Sequence, residues 1–116
     1  MNMFKVAIVG GESTGNYELF KEKCIHLLKN KAKIGGITIY TTGDEYVNKF
    51  SARYGIDVRT FYTDWGRNGK NALKERNEKI LETCDALVLF DNDIKSDQIL
   101  YSMAKDKGLP CRKITL

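Results

Sequence analysis

Phe4-Lys5-Val6-Ala7-Ile8-Val9-Gly10-Gly11 is an apolar run that stops abruptly at a pair of glycines. So compact a run offers no polar side to water, and it reads as a strand buried on both faces, as in a parallel sheet. The chain then repeats the unit. From about Asn16 to Lys31, Leu19, Phe20, Cys24, Leu27 and Leu28 recur at helical spacing. Asn16 suits an N-cap there, and Lys29, Lys31 and Lys33 suit the negative end of the helix dipole. Ile37 to Thr41 is a second strand, and Glu45 to Tyr54 a second helix that Gly55 closes. Asp57 to Tyr62 forms the third strand, and a helix from about Lys70 to Thr83 carries Leu73, Ile80 and Leu81 on one side. Ala86 to Phe90, the most apolar strand, is expected at the centre of the sheet. The last helix, about Ser96 to Lys107, stops at Gly108 with Pro110 beyond, and Cys111 to Thr115 supplies a short fifth strand. This alternation predicts an α/β fold: a three-layer Rossmann-like sandwich of about five mostly parallel strands, with helices on both faces and a single domain over 1–116.

Composition narrows the function classes. A chain of 116 residues, 42% of them apolar, has material for one core and not two. Neither Val6–Val9 nor Ala86–Phe90 is long enough to cross a bilayer, and no secretory leader is apparent. The expected location is therefore the cytoplasm, or the host cytoplasm for a phage-encoded chain, with no membrane partner. Cys24, Cys84 and Cys111 are odd in number and dispersed, which disfavours a disulfide framework or a zinc site and favours reduced core thiols. A single histidine, His26, excludes a multi-histidine metal centre. No metal and no cofactor is expected. The net charge of +4 suits an anionic small molecule and is too small and diffuse to favour nucleic acid.

In open parallel sheets ligands bind beyond the carboxyl ends of the strands, where the strand order switches. Four loops meet that rim: residues 10–16, 41–45, 63–69 and 91–95. In the first, the glycines at 10, 11 and 15 do not make GxGxxG, and Asn16-Tyr17 stand where a P-loop needs Lys and Ser or Thr. What remains is a Gly-rich turn into a helix N-terminus. It either holds a phosphate through Gly10, Gly11 and Glu12, with Ser13 and Thr14 adding hydroxyls, or is a tight turn without a ligand. In the second loop, Thr42 and Gly43 lead to Asp44 and Glu45. Asp44 is either a helix cap or an acceptor for ribose hydroxyls. Trp65 either stacks on a base or covers the edge of the core. Lys70 and Asn77, seven residues apart, share a helix face, whereas Arg76 projects about 100° from Asn77. Arg76 suits a bidentate anion contact, or else an ion pair near Glu75 and Glu78. Asp91, Asp93 and Asp97 lack the glycine and terminal Glu of a calcium loop. Asp93 or Ser96 is expected to cap the last helix, and Asp91 to serve as a rim acceptor or general base.

Trp65, Gly69, Lys70, Ala72, Arg76 and Asn77 stand in the pattern W…GKxAxxxRN. On these residues, with Val6–Gly11 and Ala86–Phe90, the chain resembles the YspA-type, YpsA-related branch of the SLOG superfamily over about residues 4–115. The resemblance implies a Rossmann-like domain whose rim binds nucleotides or molecules derived from them. Relatives in that superfamily include phosphoribohydrolases of the Lonely Guy type, sensors of ADP-ribose-like signals and DNA-processing proteins. The loops depart from the family. Its SGGARGAD stretch aligns with Thr41–Asn48, where Gly43 alone of the three glycines survives, Glu45 replaces the arginine and Asn48 the aspartate. Glu12 replaces another arginine. The late S-x-G-T turn aligns with Asp93–Ser96, with Lys95 at the glycine position. Phosphate binding by the family's mode is accordingly weakened.

The leading expectation is a non-catalytic binder of a nucleotide-derived small molecule, a sensor or a sequestering protein. An N-glycoside hydrolase is the alternative, with Glu12, Asp44, Glu45 and Asp91 as candidate catalytic carboxylates. Single-stranded DNA binding through Trp65 and Tyr46, and a scaffold acting only through protein contacts, are weaker alternatives. The resemblance also raises a homodimer, without selecting an interface.

Overall fold

In the computed structural model, residues 3–32, 36–63, 66 and 71–115 are described, with 30–32 by their backbone alone. Strand β1 (Phe4–Val9) leads through a short 3-10 turn (Glu12–Thr14) into α1 (Tyr17–Ala32). Then come β2 (Ile37–Thr41), α2 (Glu45–Tyr54), β3 (Asp57–Thr60), α3 (Ala72–Thr83), β4 (Ala86–Phe90), α4 (Lys95–Asp106) and β5 (Cys111–Ile114). The five strands form one sheet in the order β3-β2-β1-β4-β5, every pair parallel. The fold is thus the three-layer Rossmann-like α/β sandwich.

The middle strand is β1 rather than β4, which corrects the expectation drawn from apolar content. The first two crossovers extend the sheet to one side of β1, and the third carries the chain to the other side. Flanked by β1 and β5, β4 is interior too, so its apolar content marks burial without distinguishing it from β1.

Alternation along the strands divides the core. Val6, Ile8, Ile39, Val88 and Phe90 point to the layer of α1 and α2, where they meet Phe20, Cys24, Val47 and Phe50. Ala7, Val9, Leu87 and Leu89 point to the layer of α3 and α4, where they meet Ile80, Leu81, Leu100 and Ala104. Phe20 is fully buried and centres the first layer, its ring 4.9 Å from that of Phe90 and 5.8 Å from Tyr46. The three cysteines are free. Burial pushes the Cys24 thiol up to about 12 and the Cys84 thiol up to about 11, which makes both inert core groups. No helix among the described residues is long and apolar enough to cross a membrane.

Local signals locate most element ends. The Asn16 side chain accepts the Leu19 N–H at 3.2 Å and caps α1, and Gly55, at φ 63°, closes α2. Two ends differ from expectation. β3 stops at Thr60, although the Phe61 N–H still bonds the Thr41 carbonyl at 2.8 Å. Neither Asp93 nor Ser96 caps α4: Ile94 occupies that position, and its own N–H is taken by Asn92 Oδ1 at 2.7 Å. An Asn two residues upstream thus does the orienting that the sequence suggested for Asp or Ser.

Candidate functional site

The strand order reverses about β1, so the switch point lies between β1 and β4, and the loops leaving β1, β2 and β4 meet there. The glycine pair after β1 is required by packing. Gly10 has φ 81°, and a Cβ on it would fall 2.5 Å from both the Phe90 carbonyl oxygen and Asn92 Nδ2. A Cβ on Gly11 would fall 2.6 Å from the Phe20 ring and 3.0 Å from Asp44 Oδ2. The bare backbone lets the turn lie against β4 and α1.

Four N–H groups of this turn have partners within the protein. Those of Ser13, Thr14 and Gly15 donate to the carbonyls of Gly10, Gly11 and Glu12 at 3.1–3.2 Å. The Glu12 N–H donates to Asp44 Oδ2 at 3.1 Å. Ser13 Oγ and Thr14 Oγ1 donate to the Gly10 and Gly11 carbonyls at 2.6 and 2.8 Å.

The start of α2 is closed in the same way. Asp44 Oδ1 accepts the N–H groups of Tyr46 and Val47 at 2.9 and 3.4 Å, and Glu12 Oε1 accepts that of Glu45. Thr41 Oγ1 accepts those of Gly43 and Asp44 at 3.2 and 3.1 Å. Asp44 is therefore the helix cap, one of the two roles its position suggested. Glu12 and Asp44 form a reciprocal clasp in which each carboxylate holds backbone in the other's loop. The donors that the N-terminus of α2 would offer a phosphate are occupied by the chain's own carboxylates.

Above the clasp lies a cavity of about 190 Å³, lined by Gly10, Glu12, Ser13, Thr42, Gly43, Asp44, Ile94 and Asp97. Five of the residues expected to bind ligand thus converge: Gly10, Glu12, Ser13, Thr42 and Gly43. Gly11 is buried beneath them. Asp91, Ser96 and Glu45 are not in the lining; Asp91 is exposed, and its carboxylate accepts from Gln98 Nε2 at 3.3 Å. Trp65 and Lys70 lie outside the described residues. A larger cavity of about 480 Å³ opens at the other end of the sheet, between α1 and α2, against Ile25, Leu28, Phe50, Tyr54 and Ile56. It is the roomier of the two, but it lacks convergent polar groups, Lys29 and Asp57 being its charged residues.

Arg76 and Asn77 form a separate network. Arg76 Nε and Nη2 donate to Asn77 Oδ1 at 3.2 and 2.9 Å, and Nη1 donates to Thr63 Oγ1 at 3.2 Å. Helical geometry sets these neighbours about 100° apart, yet the long arginine arm folds back to serve the buried Asn77 oxygen. Its fork engages Asn77, where the sequence suggested Glu75, Glu78 or an anion. Burial holds the Arg76 guanidinium below its ordinary pKa, and the Asp97 charge opposes that shift.

Asp97, which sequence reasoning did not select, joins the network to the cavity. Burial raises its carboxyl pKa, while the Asn92 Nδ2 bond at 3.2 Å and the Arg76 charge pull it down. Burial likewise raises Asp44, against its three backbone N–H bonds. Asp97 was visible in one respect: with Leu100 and Ala104 it forms the buried stripe of α4, an acid among core positions. Ile94 carries no such signal.

No family model matches the chain, and no curated protein matches it.

Proposed function

We propose that the chain binds a nucleotide-derived small molecule at the carboxyl rim of its sheet and holds it without turning it over, as a sensor or a sequestering protein. The observation that carries this reading is the cavity at the switch point, where five residues singled out from sequence come together. The resemblance to the SLOG branch supports the nucleotide class. The chemistry of the lining refines it. Glu12, Asp44 and Asp97 line the cavity, and the lining N–H groups of Glu12, Ser13, Gly43, Asp44 and Ile94 are bonded within the protein. Such a surface accepts hydrogen bonds, so it recognises the donors of the ligand: ribose hydroxyls and the amino group of a base. On this reading any phosphate points to solvent.

Ultrafiltration of the protein with adenosine, AMP and ADP-ribose, followed by mass spectrometry of both fractions, tests this. A ligand is expected to be retained intact, with adenosine held at least as well as AMP. Asp97→Asn is expected to weaken retention about tenfold, the loss of roughly one charged hydrogen bond. Retention of none of the three, or retention unaffected by Asp97→Asn, would overturn the assignment. Release of free base would favour the hydrolase, and Asp97 is the observation in its favour: its raised pKa suits a general acid.

A further inference from the structure

The sheet ends in two exposed strands of opposite character. β5 is entered from Pro110 and carries Arg112 and Lys113 side by side, so two copies of it would set cation against cation. β3 is Asp57-Val58-Arg59-Thr60, with opposite charges on either side of a valine that is 41% exposed. Pro and Lys, which commonly protect an edge, are absent from it.

The backbone of β3 is ready to pair. The Phe61 N–H bonds the Thr41 carbonyl, and the register sets Val58 against Ile39 and Thr60 against Thr41. Alternate residues of a strand direct their N–H and C=O groups to the same neighbour. Asp57, Arg59 and Phe61 therefore face β2, and Val58 and Thr60 turn their backbone groups outward.

We infer that this edge receives a second copy of the chain, with β3 antiparallel to the partner's strand about a two-fold axis through Val58. Val58 then exchanges both backbone hydrogen bonds with the partner's Val58. One residue to either side, Asp57 meets the partner's Arg59, and Arg59 meets the partner's Asp57. These are the non-hydrogen-bonded positions, where facing side chains approach most closely. Both ion pairs fall on the same face of the sheet, and the Arg59 guanidinium already lies over the Phe61 ring on that face, 5.0 Å from its centroid. The exposed valines meet on the opposite face. Two five-stranded sheets become one continuous sheet through a strand that is its own complement.

Sedimentation equilibrium of the full chain tests the arrangement. The expected species has twice the 13.2 kDa chain mass. Asp57→Arg and Arg59→Asp each set like charges opposite one another, and each is expected to weaken the dimer about tenfold or more. An equimolar mixture of these two variants restores Arg against Asp at both positions and is expected to associate as the parent does. That recovery separates pairing from misfolding, which mixing would not repair. A parent chain monomeric at every attainable concentration would overturn the inference, as would a mixture that fails to associate.

Discussion

The two ends of the sheet differ in what holds them. At the carboxyl end, a cavity of about 190 Å³ sits above a turn and a helix start whose polar groups bond one another: Glu12 to Glu45, and Asp44 to Glu12, Tyr46 and Val47. At the amino end, a cavity of about 480 Å³ is walled by Ile25, Leu28, Phe50 and Tyr54, joined by contact alone. Hydrogen bonds are directional and costly to leave unmade, whereas apolar contact tolerates rearrangement. The smaller end is therefore the one with a defined shape, and shape with convergent polar groups is what recognition requires.

The largest expected contrast is in packing. Phe20→Ala removes the ring that supports Gly11 and Phe90, and should cost about 3–5 kcal/mol in urea unfolding. Leu28→Ala enlarges a space already open at the amino end and should cost about 2 kcal/mol, the lower limit for such a truncation. Equal costs would mean that the two ends are equally tight. Next come the turns. Gly10→Ala combines φ 81° with backbone 2.5 Å away, and should cost about 3 kcal/mol. Gly55→Ala has φ 63° but nothing within 4 Å, and should cost about 1 kcal/mol.

The smallest effect is a pH dependence peculiar to the carboxyl end. Burial raises the Asp97 and Asp44 carboxyls, so the folded chain binds these protons more tightly than the unfolded chain. Stability from this source is fully present below the unfolded pKa, about 4, and is lost as pH rises through the higher folded value. Denaturation of Asp97→Asn across that range should give a shallower decline than the parent. An identical slope would show that Asp97 titrates as it does in the unfolded chain.

How much of this was legible from sequence depends on distance along the chain. Asn16 as a cap and Gly55 as a stop depend on residues within one helical turn, and both were readable. Asp44 was readable as one of two roles. The identity of the middle strand was not, because apolar content reports burial and both β1 and β4 are buried. The Arg76 fork on Asn77 was hidden by the reach of a side chain that helical angles do not constrain. Asp97 was hidden by its neighbours, since an acid near Asp91 and Asp93 reads as part of a solvated cluster until its place on the buried stripe of α4 is considered. Of the residues lining the cavity, those next in sequence to the ends of β1 and β2 were among the sequence candidates, and Ile94 and Asp97, at the start of α4, were not.

The clasp between Glu12 and Asp44 joins residues 32 apart in sequence through both carboxylates. The turn after β1 and the first turn of α2 consequently behave as one lever. A molecule that displaced the Asp44 carboxylate would release backbone in both loops at once, giving up roughly 3 kcal/mol of charged hydrogen bonding. Any occupant must either fit the rim with the clasp closed or supply enough attraction to replace the clasp bonds that it breaks.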